Sequence, residues 1–150
     1  MSEQQREVYR QFRNAQDKYT YFLLAATGAA VALALRETEN AALMWSQVPL
    51  AAAVLCWGLS FFFGCRHLGY VASSLYSNFE LLKVEAGQHP LTGTHPENIT
   101  IGSEVIREAI ERDSSRAVRY GQMQFALLIL GATLYIGWHV WEMWLRTIRR

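Results

Sequence analysis

Three long stretches of this chain, residues 20–35, 41–65 and 122–145, contain no lysine, arginine or aspartate. Their single acidic residue is Glu142, near the end of the third. A soluble fold would have to bury three helices that are apolar all round, and 150 residues hold too little polar helix to cover them. The absence of charge therefore excludes an ordinary soluble domain.

Other scarcities narrow the reading further. A net charge of +1 offers no electrostatic basis for a nucleic-acid partner or an acidic substrate. The two cysteines, Cys56 and Cys65, lie nine positions apart on one expected helix and point to opposite faces, so they cannot pair within it. Both read as packing residues. There is no Gly-rich phosphate loop, Ser/His/Asp set, HExxH or paired catalytic carboxylates. No catalytic residue and no cofactor is assigned. Cys65, His67, His89 and His95 are metal-ligating types, but their spacing matches no zinc pattern. A helix from His67 to Gly87 would also part the two halves by roughly 30 Å. No metal site is assigned.

The apolar stretches themselves are long. A hydrocarbon core of about 30 Å needs about 20 apolar residues at 1.5 Å each. The second and third stretches reach that length, and the first does so if Tyr19 and Arg36 snorkel at its ends. Ala32-Leu33-Ala34 resembles a signal-peptidase site, but the preceding segment is long and carries Glu3, Glu7 and Asp17. The first stretch is read as a retained span. The expected fold is an all-α integral membrane protein with three transmembrane helices and a cytoplasmic helical hairpin between the second and third.

The expected parts are an amphipathic cytoplasmic helix (1–19), a transmembrane hairpin (20–65), the cytoplasmic hairpin (66–121) and a third span with a basic tail (122–150). In the cytoplasmic hairpin, Leu68, Val71, Leu75, Phe79 and Leu82 recur at helical spacing and form an apolar stripe. Gly87 is the expected C-cap, and Pro90, Gly93 and Pro96 mark a loop. Ser103 is the expected N-cap of the return helix, with a Glu108–Arg112 pair on its surface. Pro49 is expected to kink the second span. Asn98-Ile99-Thr100 matches a glycosylation sequon, a pattern that chance often supplies.

Basic residues favour the cytoplasmic side. The N-terminal segment and residues 66–121 hold most of them, whereas Glu37-Thr38-Glu39-Asn40 holds none, so the N-terminus is expected inside. An odd number of spans then places Arg146, Arg149 and Arg150 outside, against the rule. The expected location is the cell membrane, multi-pass, as in the bacterial inner membrane.

Two kinds of site stand out. Ala52, Cys56, Ser60 and Gly64 recur every four residues, a small-residue groove for close helix approach, with Gly28 and Ala32 a weaker counterpart. Along the third span Gln124, Gly131, Tyr135, His139 and Glu142 share one sector, a polar or small seam, with Arg146 at its end. Trp138, Trp141 and Trp144 lie on the other side, and with Arg146 they read as an interfacial anchor. His139 and Glu142 fall roughly 9 Å and roughly 13 Å from the span midpoint, a depth that favours anchoring over proton or ion handling. The expected function is non-enzymatic: self-association in the lipid bilayer through groove and seam, as a possible pore or membrane-perturbing effector whose hairpin at 66–121 receives a signal or a cytoplasmic protein. An accessory subunit of a larger membrane complex is the first alternative. A transporter or membrane enzyme using His139 and Glu142 is the second.

Overall fold

The computed structural model describes residues 3–38 and 45–148, and all its regular structure is helical. Helix α1 spans Glu3–Thr38, a 3-10 turn covers Trp45–Gln47, α2 spans Val48–Glu85 and α3 spans Pro96–Ile148. Each is long and apolar enough to cross a membrane. Glu39 and Asn40 of the acidic connection, the first residues of the second apolar stretch, and Arg149 and Arg150 lie outside the described residues.

The absence of Gly and Pro before Thr20 lets the N-terminal segment and the first apolar stretch form one helix. Two expectations about helix boundaries are corrected. Pro49 does not kink a span, because α2 begins at Val48 and the proline occupies its first turn, where no N–H partner is required. The return helix starts at Pro96 rather than at Ser103. Pro96 takes the first helical position, and the Ile99 N–H donates to the His95 carbonyl at 3.0 Å. Gly87 does end α2: its φ is 67°, Gly87 N–H donates to Val84 O, and Gln88 N–H donates to Lys83 O. That pair of bonds is a Schellman cap, and its left-handed position suits glycine.

The chain divides into two compact units, Met1–Gly64 with Met123–Arg150, and Cys65–Gln122. In the first unit the buried positions follow a 3-4 rhythm. On α2 they are Leu50, Ala53, Trp57, Ser60 and Gly64, and on α1 Thr20, Leu23, Thr27 and Ala34. On α3 Gln124 and Gly131 are buried seven apart, and half-buried Trp138 follows after seven more. This is the seam spacing of helices packed in a left-handed bundle.

The second unit is the hairpin, in which the N-terminal part of α3 returns along α2. His67, Tyr70, Ser74, Ser77, Leu81 and Val84 form the covered side of α2, again at 3-4 spacing. Ser73 Oγ donates to Asp113 Oδ2 at 2.6 Å, and Arg107 meets Glu85 at 2.8 Å. The expected Glu108–Arg112 pair does not form; α3 instead uses Arg107 to bind across to α2.

Candidate functional site

The interior of the first unit mixes apolar residues, Leu23, Ala34, Leu50, Ala53 and Trp57, with polar ones, and its exterior is large and apolar. Thr20, Thr27, Ser60 and Gln124 are buried, whereas Phe22, Leu35, Leu55, Phe62, Ile136 and Val140 are exposed. Only 17–28 % of each apolar window is buried within the chain. Hydroxyl groups are satisfied locally: Thr20, Thr27 and Thr133 each donate to the carbonyl one turn earlier. Such back-bonding leaves no free O–H to be solvated. Exposed aromatics mark the ends, with Tyr19 and Tyr21 on α1, Trp45 before α2, and Trp141 and Trp144 on α3.

The groove on α2 is divided between inside and outside. Ser60 and Gly64 are buried, whereas Ala52 and Cys56 are only half-buried. Ser60 Oγ donates to the Gln124 carbonyl at 2.7 Å. A Cβ built on Gly64 would lie 2.6 Å from Gln124 Nε2 and 2.7 Å from Leu24 Cδ2. The lower groove is therefore filled by the chain itself, and is not free to receive another copy. Gly28 and Ala32 are exposed, with nothing within 4 Å of a Cβ at Gly28.

The seam on α3 is likewise divided. Gln124 and Gly131 face α2, and Tyr135 is half-buried against Trp57, with ring centroids 5.6 Å apart. His139 is exposed and stacks on Tyr135 at 6.4 Å. Glu142 is half-buried and lies 3.6 Å from Arg146 Nε. His139 and Glu142 are not within ion-pair distance of each other. A pore lumen along this seam would need Gln124 and Gly131 uncovered, and α2 covers both. Trp138 also differs from its two neighbours: it packs against the Ala34–Leu50–Trp57 cluster, whereas Trp141 and Trp144 point outward.

Reading α2 at a spacing of four missed Trp57, the side chain that meets the Gly131 of the seam and organises the α2–α3 contact. On α3 the signal of that contact was present as seven-residue spacing of 117, 124, 131 and 138.

In the hairpin the expected apolar stripe is divided: Leu68 and Val71 are half-buried, and its other members are uncovered. Leu75, Phe79 and Leu82 are 46 %, 55 % and 65 % exposed, and Ile101 and Val105 on α3 are exposed too. The covered face is set by polar and aromatic contacts. His67 Nδ1 lies 2.7 Å from the Ala117 carbonyl, which only accepts, so Nδ1 carries the proton and donates. Its ring also occupies the space beside Gly121. At the loop end a cavity of about 420 Å³ is lined by Tyr76, Glu80, His89, Thr92 and Ile106, among others. Lys83, hydrogen-bonded to Glu80 at 2.9 Å, holds that carboxyl below its ordinary range, and the charges of Lys83 and His89 add to the effect. Cys65 is exposed and His67 is buried. Among the described residues no group of three His, Cys, Asp or Glu side chains is placed to hold a metal.

No protein-family model, no curated protein and no solved structure matches this chain.

Proposed function

We propose that this chain is a multi-pass integral membrane protein without chemistry of its own, a three-helix anchor whose hairpin self-associates to form a membrane-bound assembly. The observation that carries the reading is the apolar exterior of the first unit, with Phe22, Leu55 and Ile136 exposed while Thr27, Ser60 and Gln124 share the interior with Leu50 and Trp57. Water would penalise that arrangement by about 25 cal/mol for each Å² of apolar surface left exposed. Lipid imposes no such penalty, and it favours interiors of small residues that let helices approach closely.

Self-association is assigned to the hairpin because the groove and seam are largely occupied within the chain. The stripe Leu75, Phe79 and Leu82 is an apolar face of the second unit that stays uncovered. A second copy presents the same stripe, and two such faces meet under a two-fold axis. Lys and Arg in the N-terminal segment and in the hairpin support placing both on the cytoplasmic side.

The test begins with fractionation. The protein should remain in the membrane pellet after an alkaline wash, and release into the supernatant would remove the anchor reading. Phe79→Cys should then form a disulfide-linked dimer in native membranes. A crosslink only to a different, larger protein would favour the accessory-subunit reading instead.

A further inference from the structure

Three groups of the hairpin converge on the ring of Tyr70. The Arg66 guanidinium lies 5.1 Å from the Tyr70 centroid and 6.0 Å from that of Tyr120. Arg116 reaches the same Tyr70 ring at 5.7 Å, and the two tyrosines stack at 5.4 Å with planes 9° apart. Arg66 Nη2 also donates to the Tyr70 hydroxyl at 3.0 Å. Among the described residues neither arginine has a carboxylate within ion-pair distance, nor does Arg119 one turn along. Two like charges drawn to one ring without a counter-ion create a local positive field.

A cavity of about 350 Å³ opens beside them, lined by Cys65, Arg66, Gly69, Tyr70, Ser73 and Asp113. Its wall at Gly69 is open, since a Cβ there would meet nothing within 4 Å. Asp113 accepts from Ser73 at the other end, so one pole is cationic and the other is a hydroxyl beside a carboxylate. Arg66 directly follows the second apolar stretch, and Arg116 and Arg119 shortly precede the third. In a membrane-spanning chain those positions fall at headgroup depth.

We infer that Arg66 and Arg116 bind the phosphodiester of an anionic phospholipid whose headgroup is a polyol, such as phosphatidylglycerol. Guanidinium forks match phosphate oxygens in two-point contacts, which a lysine pair would not do. The carboxylate of Asp113 accepts headgroup hydroxyls and disfavours a second negative charge, which selects a singly charged polyol over a phosphomonoester. The inference rests on the membrane reading above.

The full-length protein, reconstituted in nanodiscs of phosphatidylglycerol and phosphatidylcholine, is examined by native mass spectrometry after release. A phosphatidylglycerol adduct is expected, with none of phosphatidylcholine, and Arg66→Gln or Arg116→Gln should each weaken it roughly fivefold. Arg112→Gln removes an equal charge elsewhere on α3 and should leave the adduct unchanged. Because Arg66 holds the tyrosine stack, Arg116→Gln decides the matter if Arg66→Gln fails to fold. Equal binding of both lipids, or equal loss with Arg112→Gln, overturns the site. Displacement by millimolar glycerophosphoglycerol, the water-soluble phosphodiester with the same polyol, overturns the lipid assignment in favour of a soluble phosphate. Absence of the protein from the membrane pellet, measured first, overturns the membrane reading and this inference together.

Discussion

The indole of Trp57 fills the space that a side chain at Gly131 would need. A Cβ at Gly131 would lie 2.5 Å from Trp57 Nε1 and 3.1 Å from the Ala53 carbonyl. The indole N–H donates to the Leu128 carbonyl at 3.3 Å, so a bulky aromatic of α2 reaches the backbone of α3. Near the other end of the contact the roles exchange, and Gln124 of α3 presses on Gly64 of α2. Each helix thus contributes one large side chain and one glycine, which sets both their separation and their register.

Gly131→Ala forces Trp57 or the backbone of Ala53 to move, because one close atom is main chain and cannot rotate away. Overpacking of this kind costs about 1–3 kcal/mol. Gly137→Ala is the control: nothing lies within 4 Å of its Cβ, and alanine is the better helix former. Thermal melting in detergent, followed by circular dichroism, should show a lower midpoint for the first variant and no drop for the second.

Gln124 is almost fully buried, and among the described residues its Nε2 has no hydrogen-bond partner. Replacing it with leucine removes an unsatisfied amide while keeping much of the volume, and should raise stability by about 1 kcal/mol. Ser60→Ala deletes the bond to the Gln124 carbonyl and should lower stability by about 0.6 kcal/mol. Equilibrium unfolding of the two variants in the same detergent compares the opposite signs directly. A destabilised Gln124→Leu would show that the amide is satisfied after all, by water held in the bundle.

Phe79→Glu places a charge on the uncovered stripe without disturbing the covered face of the hairpin, because Phe79 is more than half exposed. The variant should fold and insert as before, yet run as a monomer where the parent runs as a dimer in crosslinking and size-exclusion experiments. Leu81→Glu, on the partly covered side, should instead destabilise the hairpin.

The Glu80 carboxyl is held below its ordinary range by Lys83. A carboxylate depressed in the folded state contributes stability that is present above its unfolded pKa and lost as pH falls through the folded value. Protection of the amides at residues 80–89, taken relative to intrinsic exchange at each pH, should therefore fall as the pH falls below the ordinary glutamate range. Glu80→Gln should remove that acid-dependent component, its protection at neutral pH already lying at the lower level that the parent reaches in acid.

Much of the architecture was legible in residue order. The charge-free stretches located three long helices, and Gly87 marked the end of α2. The facing sides were less legible. A spacing of four selected Ala52 and Cys56, whereas the α1–α2–α3 contact uses Leu50, Ala53 and Trp57. In an amphipathic helix the apolar side announces the core, but α2 is apolar on every side, so hydrophobic period carries little information about orientation. The hairpin stripe likewise did not mark the covered side, which His67 and Tyr70 hold through a hydrogen bond and ring contacts that hydropathy does not count.

Sequence alone determined that the chain is helical, that three helices are long and apolar enough to cross a membrane, and where the chain turns, because backbone propensity and hydropathy are properties of single residues and short windows. Tertiary structure decided that Trp57 meets Gly131, that Gln124 meets Gly64, and that Arg66 and Arg116 meet on Tyr70. Those are properties of pairs far apart in sequence. A glycine becomes a socket, and an arginine half of an anion site, only when another helix brings the matching side chain to it.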